Sequence, residues 1–176
     1  AGVAVRDETG WKLSTTHAAA QLMALLRAAD PRASMDEVID ALKLAPRWVD
    51  ADAPSLEGLA RRLGVSSWRA ALDHPDMAPA VPPEWRDGLA SLQAPRTLEA
   101  WLVTLGQALN TGGWWAQFAA DAAGQQILNT LRLHPGAGGE LTALGLADVD
   151  APQGSAPARR WTLTAFTGWV SDVLEG

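Results

Sequence analysis

The stretch Ser14-Thr-Thr-His-Ala-Ala-Ala-Gln-Leu-Met-Ala-Leu-Leu-Arg-Ala-Ala29 decides the fold class. Leu22, Leu25, Leu26 and Ala29 recur at helical spacing on one face, and the hydroxyls of Ser14 to Thr16 stand where an N-cap is needed. The spacing predicts a helix over His17 to Ala29, stopped by Asp30-Pro31. In front of it, Val3 to Val5 reads as a short extended run entering a turn at Gly10. A lone strand leaves its edge groups without partners, so Val3 to Val5 is expected to pair with a sheet outside this chain. The whole, 1-176, therefore reads as a single helical domain excised from a larger protein, with possible sub-halves 1-94 and 95-176.

Outward from this helix, the same signals repeat. Ser34-Met-Asp-Glu37 is a capping-box pattern that opens a helix running through Lys43, and Pro46 closes it. Trp48 to Pro54 reads as loop. Ser55 is placed to cap Leu56 to Leu63, Gly64 ends that helix, and Ser66 or Ser67 caps Trp68 to Leu72. Pro75, Pro79, Pro82 and Pro83 interrupt every helical period until Glu84 to Leu92. Thr97 caps Leu98 to Leu109, Asn110 to Gly113 ends it, and Trp114 to Leu133 has room for one long helix with a possible kink at Gly124. Ala137 to Leu146 is a short segment, and Asp148 to Ala158 reads as a loop and the piece most expected to be disordered. Thr162 or Thr164 then caps a last helix carrying Phe166, Trp169, Val170, Val173 and Leu174. The expected fold is all-α, an irregular helical array of about eight to ten helices, with one short N-terminal strand as its sole strand candidate.

Composition narrows the function classes. With 48% hydrophobic residues in 176, the chain can bury a substantial core. The absence of cysteine removes disulfides and thiolate metal sites and fits a reducing cytoplasm. No apolar run approaches the roughly 20 residues of a membrane span, so a cytoplasmic protein without a membrane partner is expected. A net charge of -6 opposes a surface built wholly for nucleic acid, although a local basic patch remains compatible with it. Nine tryptophans spread along the chain read first as packing anchors between helices and second as stacking platforms for unpaired bases.

Catalytic motifs are missing. Lys12 and Lys43 are the only lysines, and neither stands in the glycine frame of a phosphate-binding loop. A magnesium nuclease of the Asp/Glu-x-Lys type needs an acid two residues before lysine, where this chain has Gly10 and Ala41. His17, His74 and His134 lack metal-ligand spacing, while Ser14, Ser34, Ser55 and Ser66 read as caps rather than nucleophiles. No catalytic residue, metal ligand or cofactor is assigned. The one binding pattern is Leu56-Glu-Gly-Leu-Ala-Arg-Arg-Leu-Gly-Val-Ser-Ser-Trp-Arg-Ala-Ala-Leu72, a helix, glycine turn and helix carrying Arg61, Arg62 and Arg69. These arginines are the candidate nucleic-acid-binding residues. Their sharp reading is a helix-turn-helix, and their bland reading is the solvated face of a helical hairpin.

Three segments, Gly2 to Ala29, Ser34 to Pro46 and Trp161 to Gly176, together resemble the helical insertion in the second motor lobe of UvrD-type helicases, in the variety found in AddB/RecB-like helicase-nuclease subunits. The elements that carry the resemblance are the strand Gly2-Val3-Ala4-Val5-Arg6-Asp7, the helix Leu22 to Ala29 and the helix end Leu42-Lys43. It covers about the first quarter and last tenth of the chain. The resemblance implies a non-catalytic helical domain of an exonuclease or helicase-like hydrolase in double-strand-break repair and recombination. Its partners would be DNA, bound non-specifically, and a second helicase-nuclease subunit. It also implies that the two ends of the domain lie close together, since an insertion leaves and re-enters one lobe. The alternatives are a helix-turn-helix regulator and a structural helical adaptor.

Overall fold

The computed structural model describes residues 12–47, 53–133 and 159–176. Among them the protein is all-α, with α1 His17–Ala28, α2 Met35–Leu44, α3 Ala53–Leu63, α4 Trp68–Asp73, α5 Pro83–Ser91, α6 Leu98–Thr111, α7 Trp114–Ala120, α8 Ala122–Thr130 and α9 Leu163–Glu175. Two single turns of 3-10 helix, Leu13–Thr15 and Ala78–Ala80, complete the described elements. No strand occurs among the described residues, and the expected strand Val3 to Val5 lies outside them, as do Ala137 to Leu146 and Asp148 to Ala158.

The hub is α1. Thr16 caps it by accepting a hydrogen bond from Ala19 N at 3.2 Å, and Leu22, Leu25, Leu26 and Ala28 are all buried. Those side chains meet α2 on one side and α8 and α9 on the other, so buried residues from both ends of the sequence join one apolar cluster. Gln21 is the one buried polar side chain among the described residues, 3% exposed, and its amide donates to Leu44 O at 3.3 Å and Gln117 Oε1 at 3.1 Å. Burying an amide is tolerable only with partners of this kind, and these two fix α1 against the end of α2 and against α7.

Helix starts are tied in pairs. Met35 N donates to Ser66 O at 2.9 Å and Trp68 N to Ala33 O at 3.0 Å, so α2 and α4 begin side by side. In the same way Arg96 N donates to Trp161 O at 3.1 Å and Trp161 N to Arg96 O at 2.7 Å, joining the starts of α6 and α9. Ser34, Ser67, Thr97 and Thr162 are the respective caps, and Ser34 with Glu37 forms the full capping box. Each antiparallel bridge satisfies backbone groups that would otherwise be orphaned where two helices begin.

Of the caps left open by the sequence, Ser67 caps α4 and Thr162 caps α9. Two helix limits differ from the sequence expectation. First, α3 begins at Ala53, so Pro54 and Ser55 lie in its first turn and Ser55 is not its cap; proline fits there because the first amides of a helix need no intrahelical acceptor. Second, the expected long helix Trp114 to Leu133 is two helices. Asp121 takes an extended conformation (φ -113°, ψ 138°) and its carboxylate accepts from Gly124 N at 2.9 Å, which caps α8. Gly124 is therefore not a kink. A Cβ there would stand 2.4 Å from Phe118 Cα, so the missing side chain is what lets α8 start against the α7 backbone.

The first and last described segments meet. The turn Leu13–Thr15 packs on α9, and Lys12 Nζ lies 3.3 Å from Glu175 Oε2. Both of these side chains are more than half exposed, so packing rather than the ion pair holds them together.

Candidate nucleic-acid interface

The hairpin that carries Arg61, Arg62 and Arg69 forms as its sequence implies. Leu56 and Ala60 of α3 are buried, which leaves Arg61 and Arg62 on the outer face. Gly64 adopts φ +66°, and Val65 N donates to Ala60 O at 3.0 Å, closing the helix with a left-handed residue where glycine costs least. The chain then turns into α4, whose Trp68 is 2% exposed while Arg69 faces solvent.

The three arginines are not equivalent. Arg61 Nη2 lies 2.7 Å from Glu57 Oε1, and Lys43 Nζ of α2 lies 2.6 Å from the other oxygen of the same carboxylate. Glu57 thus stands between two cations, and the hydrogen bond from Lys43 holds its carboxyl below the ordinary carboxylate value. Part of the field of Arg61 is spent on this carboxylate. Arg62 and Arg69 are exposed, and among the described residues no carboxylate oxygen lies within 4 Å of either.

Base reading is a poor use of this hairpin. A recognition helix must present its face to a major groove about 12 Å wide. Here α4 has six residues and spans about 9 Å, and its first turn is docked on α2 through the Ala33 and Ser66 hydrogen bonds. One polar side chain, Arg69, points outward from its start. The arrangement can hold phosphate oxygens, but it offers no set of base-edge readers.

Chemistry is sparse elsewhere. Among the described residues no group of three or more His, Asp or Glu side chains comes together to hold a metal ion. His17 is exposed at the start of α1, and His74 ends α4 with its Nδ1 accepting from Asp76 N at 3.1 Å; His134 lies outside the described residues. Both lysines sit in surface ion pairs. Two open depressions are present. One of about 400 Å³ lies between α1 and α9 and mixes Arg27, Asp30 and Glu37 with Leu26, Thr164 and Thr167. The other, about 280 Å³, runs under the hairpin beside Ile39, Glu57, Ala60 and Val65.

A second basic group escaped the sequence reading. Arg159 and Arg160 are exposed immediately before α9, and a backbone bridge joins Arg96, at the start of α6, to the next residue, Trp161. The Arg159 guanidinium lies 4.3 Å from the centre of the half-buried Trp161 ring, and that of Arg96 lies 4.7 Å from the Trp101 ring. Trp101 Nε1 donates to Trp161 O at 2.8 Å, and its ring stacks on Phe166 with 4.7 Å between centres. The signal available was the triplet Arg159-Arg160-Trp161 directly before a threonine cap. Nothing local says that Arg96, far away in the chain, is bridged to it.

Among the described residues Trp68, Trp85, Trp101 and Trp114 are buried and Trp115, Trp161 and Trp169 partly exposed, while Trp11 and Trp48 lie outside them. Comparison with family models, with curated proteins and with solved structures returned no match.

Proposed function

We propose that this chain is a non-catalytic helical domain of a DNA-end-processing protein of the helicase-nuclease kind, where it lies along DNA by phosphate contacts and packs against a partner subunit. The observation that carries the reading is the exposed pair Arg62 and Arg69 on one rigid hairpin, without carboxylate partners among the described residues, in a chain of net charge -6. On an acidic protein, cations left unneutralised at one place are what a polyanion can find. The ion-paired Glu57 favours a second reading for the α3 side of the hairpin, that of structural adaptor, because its carboxylate links α2 to Arg61.

The test is a salt titration of DNA binding by the full chain and its variants. Arg62→Ala with Arg69→Ala is expected to weaken binding equally for all sequences and to lower the salt slope by about two units, about one per phosphate contact. Arg61→Ala should do less, since its charge already faces Glu57. Unchanged affinity and slope would leave the hairpin as scaffold, and a changed base preference would restore the helix-turn-helix reading. ATP hydrolysis or magnesium-dependent DNA cleavage by the pure chain would overturn the non-catalytic part.

A further inference from the structure

A backbone bridge joins the starts of α6 and α9 and brings Arg96 to Trp161. Its backbone is held three times over, by the Arg96 N to Trp161 O bond at 3.1 Å, the Trp161 N to Arg96 O bond at 2.7 Å and the Trp101 Nε1 to Trp161 O bond at 2.8 Å. Trp161 is therefore fixed in place, yet its side chain remains partly open to solvent. Arg159 lies over its ring, Arg160 is exposed next to it, and Arg96 is partly exposed across the bridge. Among the described residues none of these three guanidiniums has a carboxylate oxygen within 4 Å; Glu99, the acid in the first turn of α6, is exposed and makes no ion pair there.

One guanidinium over an anchored, half-open indole, with Arg160 exposed next in the chain and Arg96 bridged to it through the backbone, matches a particular ligand chemistry. Phosphates take the guanidiniums, and a flat base takes the indole or the guanidinium plane stacked on it. In a duplex the base faces are covered by their neighbours, so only an unpaired strand can use the ring. An anionic peptide or a bare polyphosphate would use the charges and leave the ring idle. We propose that Trp161, Arg159, Arg160 and Arg96 form a binding site for single-stranded nucleic acid, sequence-tolerant because every base has a stacking face. None of these four residues belongs to the α3–α4 hairpin, and the proposal does not depend on the family resemblance.

The experiment is fluorescence polarisation with the full chain and three labelled probes, namely an oligothymidylate of about a dozen nucleotides, its abasic analogue and a duplex of the same length. The unpaired thymidylate is expected to bind tighter than both others. Trp161→Leu, which keeps the backbone bridge, should weaken thymidylate binding by at least about fivefold, leave the salt slope unchanged and erase the advantage over the abasic strand. Arg159→Ala with Arg160→Ala should weaken all three probes and lower the single-strand salt slope by about 1.4 units, at about 0.7 per contact. Arg62→Ala with Arg69→Ala should leave the thymidylate-to-abasic ratio intact, which separates this site from the hairpin. No binding of thymidylate at low salt, equal binding of thymidylate and abasic strand, or wild-type affinity in Trp161→Leu would each overturn the proposal. Should Trp161→Leu fail to fold by circular dichroism, the wild-type thymidylate-to-abasic ratio and the double arginine variant decide the matter.

Discussion

Gly124→Ala and Gly88→Ala are the same substitution in two helices, yet they should move stability in opposite directions. Alanine is favoured over glycine inside a helix by about 1 kcal/mol, so helix propensity alone makes both changes stabilising. At Gly88 in α5 the added methyl meets no atom within 4 Å, and the gain of about 0.5–1 kcal/mol should appear nearly whole. At Gly124 the new Cβ would sit 2.4, 2.5 and 2.8 Å from Phe118 Cα, O and C. All three are backbone atoms and cannot rotate away, so α7 and α8 must separate by about 1 Å to reach ordinary contact. Phe118 is 1% exposed, and moving it disturbs the packed core around α1. Overpacking of this kind costs about 1–3 kcal/mol, and the upper part of that range applies where rigid backbone is the obstacle. After the propensity gain is subtracted, Gly124→Ala should lose about 1–2 kcal/mol. For a chain of this size that lowers the melting temperature by about 2–8 °C, against a rise of about 1–4 °C for Gly88→Ala. Thermal unfolding followed by circular dichroism measures both. A Gly124→Ala protein as stable as the wild type, beside a stabilised Gly88→Ala, would refute the close approach of α8 to α7.

Two further outcomes rest on single contacts. Trp101→Phe and Trp114→Phe delete the same atoms from sites 0% and 1% exposed, but Trp101 Nε1 donates to Trp161 O while Trp114 Nε1 is buried with no partner among the described residues. Urea unfolding should therefore show Trp101→Phe as the more costly by about 1 kcal/mol or more, and equal costs would remove the hydrogen bond from the account. The Lys43 hydrogen bond that lowers the carboxyl value of Glu57 gives a stabilisation that is complete above the ordinary value near 4.5 and is lost as pH falls through the lowered folded value. Glu57→Gln should thus be slightly less stable than wild type between pH 6 and 8 and equal to it in strong acid; a gap that widens on acidification contradicts that sign.

Local chemistry made much of this protein readable before its structure. Ser34 with Glu37, Thr97 and Thr162 marked helix starts, because a cap is a contact between residues three apart. The apolar face of α1 was visible as Leu22, Leu25 and Leu26, since burial on a helix repeats at a fixed spacing. The sequence does not disclose the split at Asp121, although Asp121 capping Gly124 N is the same three-residue signal, because an alanine- and glutamine-rich stretch suits one helix as well as two. Only the packing of Phe118 against Gly124 decided between them. The candidate interfaces divide along the same line. Arg61, Arg62 and Arg69 stand within nine positions of chain, so their hairpin was legible; which of them is neutralised depends on Lys43 of α2 approaching Glu57, a contact between helices. Arg96 and Arg159 to Trp161 are brought together by an antiparallel bridge between residues far apart in the chain, and no periodicity, cap or composition encodes such a pairing. Helix caps are settled by neighbours in sequence, whereas charge neutralisation and the joining of Arg96 to Trp161 are settled by which helices the core brings side by side.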